Sequence, residues 1–341
     1  MRQVTSVTAR RAAWRRGAGT GPDARRVLQL VLAGIWLLDA ALQWQRSMFT
    51  KAFGGTLAAT ASGNPAVIAD PITWVARLVG DHPVALNAVF ATIQLLLGLG
   101  ITWRRTLRLA LGASIAWALG VWWLGEGLGG LLNGTANPAG GAPGAVVLYA
   151  LLAALLWPAD RPGPAAPFTA ARAVGTRTAR TLWLVLWAVL ASVALWPANR
   201  APWALRDMIA GMGSGEPGWL AATERNAAAL VGNRGLAASV VLAVLLALVA
   251  IAVYLPKPAA RAGIVLAIML AAGIWVVGEA LGGVLTGSGT DPNTGPLLAI
   301  LALSYWPAPA DRMALAAANV GTSSVSTVPG STTLTRGMAA G

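Results

Sequence analysis

Eight apolar runs leave this chain few ways to fold in water. They cover residues 27–44, 84–103, 106–124, 143–157, 181–196, 236–255, 262–277 and 294–306. A helix that crosses a bilayer needs roughly 17–25 mostly apolar residues. The fourth and eighth runs are short, as if they start deeper in the bilayer or borrow from the Gly-rich stretches before them. Between the runs there is little to support a soluble surface. Charged residues make up 11% of the 341 residues and mean hydropathy is +0.64, whereas a soluble domain carries about 25% charge. The expectation is an all-α integral membrane protein.

The basic residues orient it. Of the 25 Lys and Arg, eighteen fall in segments that lie on one side if residues 1–26 are cytoplasmic. These segments are 1–26 itself, the turn with Arg104, Arg105 and Arg108, the 158–180 stretch, the pair Lys257 and Arg261, and the tail. Such an asymmetry marks the cytoplasmic side. It predicts eight spans in a bacterial cytoplasmic (inner) membrane with both termini inside. The net charge of +13 therefore follows topology, and no nucleic-acid partner is expected. Membrane lipids are.

The chain also repeats itself. Residues 121–134 read VWWLGEGLGGLLNG and residues 274–287 read IWVVGEALGGVLTG, with eight of fourteen positions identical at an offset of 153. Arg108 pairs with Arg261 and Gly120 with Gly273 at the same offset. Internal similarity of this kind marks a duplicated unit. Four crossings return the chain to the same side, so the two copies share one orientation. The division predicted is a cytoplasmic Arg-rich arm (1–26), a first four-span repeat (27–160), a cytoplasmic linker (161–180), a second four-span repeat (181–311) and a disordered cytoplasmic tail (312–341). The fold class expected is thus eight transmembrane helices arranged as two parallel-repeat four-helix units. In the long segment after run one, Asp70-Pro71 predicts the start of a short amphipathic helix at the outer interface, with Glu216-Pro217 its counterpart after run five.

A four-span unit with a longer outer segment after its first span, followed by two spans joined through an Arg-bearing turn, resembles the DoxX-like membrane family. The stretch from Asn87 to Arg105, with Gly98 and Gly100 before Trp103-Arg104-Arg105, carries the resemblance over roughly 27–157. That family includes a subunit of a thiosulfate:quinone oxidoreductase. The resemblance therefore implies an accessory subunit of a membrane redox system, with a redox partner subunit and contact to a quinone or lipid. Small-molecule or proton-coupled transport, and a scaffold that holds an extracytoplasmic partner, are the alternatives.

Few residues can carry chemistry. No cysteine is present and His82 is the lone histidine. This excludes iron–sulfur clusters and argues against haem and zinc. No catalytic or metal set is expected, and no covalently bound cofactor. Glu126 and Glu279, in the two GE-x-LGG motifs, are ligand or proton-site candidates, because a carboxylate near a bilayer must face protein or a wet cavity. Equally, each Glu can cap a neighbouring helix or pair with Arg46 or Arg200, and the flanking G-x-x-x-G spacings suit close helix contact. Asp39, Gln43 and Arg46 are spaced to share one face of span one, and the offset maps Asp39 to Ser192 and Gln43 to Trp196. The second half thus lacks this stripe. Asn133, Asn137, Asp291 and Asn293 are oxygen-bearing loop candidates, though Asn, Gly and Pro also build ordinary turns. Trp36, Trp117 and Trp122 are candidates for an aromatic pocket or for core packing.

Overall fold

The computed structural model describes residues 23–159 and 166–308. Most of the arm, Arg161 and the tail lie outside them. Among the described residues the protein is helical throughout, with no strand. The first half runs α1 (Ala24–Leu42), α2 (Lys51–Ala59), α3 (Ala66–Asp81), α4 (Pro83–Thr102), α5 (Leu107–Leu124) and α6 (Ala145–Leu155). After the short α7 (Ala171–Val174), the second half runs α8 (Thr176–Ala194), α9 (Pro197–Arg200), α10 (Ala204–Met212), α11 (Gly218–Val231), α12 (Gly235–Ala252), α13 (Lys257–Gly273) and α14 (Thr294–Ser304).

Five helices are long and apolar enough to cross a membrane: α4, α5, α8, α12 and α13, the last extended to Gly278 by a π turn. Helix α1 has the length, but Arg25, Arg26 and Asp39 lie within it. Two of its polar side chains bond to neighbouring helix ends. Arg26 Nη1 donates to Ile101 O at 3.0 Å and Gln29 Nε2 to Leu156 O at 2.8 Å. Both acceptors belong to helix C-terminal ends, whose free carbonyls attract donors and positive charge.

Helices α6 and α14 are different in kind. Each has 11 residues, about 17 Å at 1.5 Å per residue, against a hydrocarbon core of about 30 Å. Both are apolar all round, and eight residues of each are buried. A helix of that pattern belongs in a core. They pack against one another at the centre, with α5 and α1 also against α6, and α13 and α1 also against α14. The GE-x-LGG segment and the loop after it precede each of them.

Those segments are not helical. Four successive residues, Gly127 to Gly130, have φ between 54° and 73°, and Ala280 to Gly283 have φ between 44° and 77°. The glycines therefore do not form a helix-packing stripe, as their G-x-x-x-G spacing suggested. They turn the chain. Gly129 and Gly282 show why side chains are excluded: a Cβ would lie 2.0 Å from Pro143 O in the first case and 2.6 Å from Pro292 C in the second. Leu128 and Leu281, both at φ 58°, occupy the same left-handed region against a penalty of roughly 1–2 kcal/mol.

The two halves also exchange hydrogen bonds. Asn199 Nδ2 donates to Ala136 O at 2.9 Å, while Gln45 Nε2 donates to Gly289 O at 3.2 Å and Ser47 Oγ to Gly287 O at 2.8 Å. Each loop is thus held by the segment that follows the first long helix of the other half.

The interface segments depart from expectation in detail. Helix α3 starts at Ala66, and Pro71 lies inside it. Pro65 takes the N-cap position, so Asp70-Pro71 does not begin the helix. Its buried face is Ile72, Ala76 and Val79. In the second half Pro217 does precede the helix, as the N-cap of α11. Part of the expected linker is packed: Ala170 N donates to Ser304 O at 2.9 Å, Arg172 pairs with Asp23 at 2.6 Å, and Phe168 lies 5.0 Å from the Tyr305 ring.

The turn geometry gives a prediction. Gly129→Ala should lower the melting temperature in detergent by several degrees, since it adds both a left-handed φ penalty and a contact with Pro143 O. Gly34→Ala, where a Cβ meets nothing within 4 Å, should leave it unchanged or raise it slightly.

Candidate functional site

Glu126 and Glu279 each follow the last turn of a long helix at φ −105° and −123°. From there each side chain reaches the start of the next short helix. Glu126 accepts from Val146 N at 3.2 Å. Glu279 accepts from Gly295 N at 3.1 Å, from Thr294 N at 3.2 Å and from the Thr294 hydroxyl. The first amides of a helix have no internal partner, and the positive end of the helix dipole favours an anion there. Backbone amides, not Arg46 or Arg200, are the partners of both carboxylates.

Beyond this shared task the two diverge. Glu279 is fully buried. Glu126 is half-buried, and its surface faces a cavity of about 400 Å³ bounded by α1, α4, α5 and α6 and roofed by α2 and α3. Gly144 lets the carboxylate lie close, since a Cβ there would stand 2.1 Å from Glu126 Oε2.

Asp39 enters the same cavity from the last turn of α1. It is 2% exposed. Tyr149 on α6 donates its phenol to Asp39 Oδ2 at 2.6 Å, and Asp39 Oδ1 has no partner. The Tyr149 ring lies 4.3 Å from that of Trp36, whose indole N–H donates to Ser114 Oγ at 3.0 Å. Gln43, at the end of α1, and Gln94 on α4 also line the cavity, and the Oε1 atom of each is buried without a partner. Asp291 arrives from the second half. Its carboxylate accepts from Asn293 N at 2.7 Å and from Thr290 Oγ1 at 2.8 Å, and it closes the cavity on the side of the α14 loop. The rest of the wall is apolar and aromatic, with Phe53, Phe90 and Trp117 prominent.

The other sequence candidates fall elsewhere. Helix α1 ends at Leu42, Gln43 caps it and Gln45 is extended. Arg46 therefore begins a separate 3₁₀ turn and is exposed. It does not share a helical face with Asp39 and Gln43, because the helix stops before the third residue of the stripe. Asn133 accepts from Thr135 N at 3.0 Å and donates to Ser62 O at 3.0 Å. Asn137 accepts from Ala139 N at 2.9 Å, and Asn293 from Thr294 N at 2.8 Å. These three shape turns and helix starts. Trp36 and Trp117 line the cavity; Trp122 does not, and instead donates to Pro143 O at 2.7 Å. In the second half Ser192 Oγ bonds back to Ala188 O, so no carboxylate stands where Asp39 does.

Tyr149 is the cavity residue that the sequence does not single out. Its signal was a lone hydroxyl within the otherwise apolar run AVVLYALLAAL. Glu224 was missed too. It is fully buried on α11, neither of its carboxylate oxygens has a partner, and burial with the nearby charge of Glu216 raises it to about 7. Among the described residues no cluster of His, Asp and Glu has the makings of a metal site.

Comparison with protein-family models, with curated proteins and with solved structures finds no match to the chain.

Proposed function

We propose that the protein is a multi-pass bacterial inner-membrane protein that binds a small amphipathic molecule in the cavity between α1, α4, α5 and α6. In this reading all eight apolar runs cross the bilayer, with both termini in the cytoplasm. The two short helices do so together with the turned segments that precede them. The two four-helix units are parallel repeats related by a pseudo-two-fold axis along the membrane normal. Three observations support the arrangement: the charge asymmetry of the loops, the matched left-handed turns after Glu126 and Glu279, and the reciprocal bonds from Asn199 and Gln45 to loop carbonyls 153 residues apart.

The observation that carries the function is the cavity itself. Its volume of about 400 Å³ lies within the range of small-molecule sites, and an apolar wall with a few convergent polar groups is the usual composition of such sites. Asp39 has no counterpart in the second half, where Ser192 stands at the matching position, so the two halves differ at this wall. Transport is the form of this function that one further observation favours. Asp291 belongs to the second unit but closes the cavity of the first, so relative motion of the units alters the wall. The accessory redox role that the DoxX-like resemblance implies has less support. Quinone carbonyls need hydrogen-bond donors, whereas the acids here are acceptors when ionised and the Tyr149 proton is already given to Asp39.

Gly120 supplies the test. It lines the cavity, and a Cβ there meets nothing within 4 Å. Gly120→Leu should fill space without disturbing the helix. Native mass spectrometry with lipid extraction should find a small molecule that co-purifies with the wild type and is lost, by tenfold or more, from Gly120→Leu. Equal retention in both proteins, or no retained molecule in the wild type, would overturn the proposal.

A further inference from the structure

We infer that the occupant of the cavity is an organic cation, a protonated amine or quaternary ammonium with an apolar body. The inference rests on the binding function proposed above and adds the charge of the ligand. Three carboxylates from three separate elements converge on the wall: Asp39 from α1, Glu126 from the turn after α5, and Asp291 from the loop before α14. No Lys, Arg or His lies among the residues that line it. Among the described residues their hydrogen-bond partners are neutral donors: the Tyr149 and Thr290 hydroxyls and backbone amides. Uncompensated anions in a low-dielectric wall are costly, and a bound cation relieves that cost.

Unused acceptors point the same way. Asp39 is 2% exposed and Gln43 is 4% exposed, both line the cavity, and Asp39 Oδ1 and Gln43 Oε1 have no partner. Gln94 Oε1 repeats the pattern from α4. A buried acceptor without a donor is unfavourable, so the ligand that completes this wall brings positive charge or N–H groups. The aromatic residues fit the same guest. Trp36 and Tyr149 stand beside Asp39, and Trp117 lies 5.7 Å from Phe90 across the apolar part. Aromatic faces attract ammonium groups, most of all where water is excluded. The apolar wall from Phe53, Leu57 and Phe90 takes the hydrocarbon part.

Two isosteres separate charge from shape. Benzyltrimethylammonium and neopentylbenzene differ only in replacement of the quaternary nitrogen by carbon. Their binding should be measured by calorimetry on the full chain in nanodiscs, at pH 8, with Gly120→Leu, Asp39→Asn and Asp291→Asn alongside. Expected is binding of the cation at least tenfold tighter than of the hydrocarbon, a tenfold or greater loss in each Asn variant, and loss in Gly120→Leu. Asp39→Asn keeps an acceptor for Tyr149, and Asp291→Asn keeps one for Asn293 N. Failure of one variant to fold therefore leaves the other to decide. Equal affinity for the two compounds, with both lost in Gly120→Leu, would overturn the cationic assignment and leave the binding function standing. Absence of cation binding would overturn it too, and the co-purifying molecule then decides separately whether the cavity binds anything. Cation binding unaffected by Asp39→Asn and Asp291→Asn would place the charge elsewhere and overturn the site.

Discussion

Carboxylate capping of two short, largely buried helices is the interaction on which the rest of the structure depends. Helices α6 and α14 begin inside the protein, where water cannot satisfy their first amides. A bare helix start in such surroundings leaves several donors unmet, each at a cost of roughly 1–3 kcal/mol. Glu126 and Glu279 meet those donors with the strongest neutralising group available. The cap in turn fixes the turn before it. The chain must leave the long helix, place its Glu against the next helix start, and clear the space between. The left-handed run from Gly127 to Gly130, and its counterpart from Ala280 to Gly283, does this. The motif GE-x-LGG therefore encodes one device: an acid that caps and glycines that let it arrive.

How far the fold and the site were legible in the sequence follows from the range of the interactions involved. The long helices were legible because hydropathy is a local property summed over about 20 residues. The run at 84–103 became α4 (Pro83–Thr102), and that at 236–255 became α12 (Gly235–Ala252). The function of the glycines was not legible, because the same G-x-x-x-G spacing serves close helix packing and a left-handed turn, and only the backbone decides between them. Asp70-Pro71 reads as a helix start because acid-Pro is a common N-terminal signal. Pro65, a few residues earlier, holds that position instead. Asp39 was visible as a charge in an apolar run, but its partner Tyr149 lies 110 positions away. Arg46 was grouped with it on helical spacing, and the helix ends three residues after Asp39. Local periodicity carries no information about where a helix stops when tertiary contacts end it.

The two halves share some of these devices and differ in others. The caps, the turns and the reciprocal loop bonds from Asn199 and Gln45 occur in both. These hold the bundle together, and each half needs them. The polar wall of the cavity occurs in one. The positions that match Asp39 and Gln43 are Ser192 and Trp196, and the second half instead buries Trp183 and Trp187 in its core, with the Trp183 indole bonded to Val249 O at 2.8 Å. Aromatic bulk in one half and an open cavity with buried acids in the other are alternative fillings of similar scaffolds. The first is the cheaper in free energy, because apolar packing needs no compensation for buried charge.

That difference bears on whether the acids of the first half are structural. Glu279 has three donors and no access to the cavity, so capping accounts for it fully. Glu126 has amide donors and a free surface on the cavity, so capping accounts for it in part. Asp39 caps nothing: its hydrogen bond to Tyr149 joins two side chains that an apolar pair of similar size could replace, and one of its oxygens has no partner. The structural explanation thus weakens along the series from Glu279 to Glu126 to Asp39, and over the same series the carboxylate passes from outside the cavity to its wall. A buried carboxylate that the fold does not need is retained at a cost in stability. The proposed ligand supplies that reason, since the carboxylate lies on the wall of the cavity.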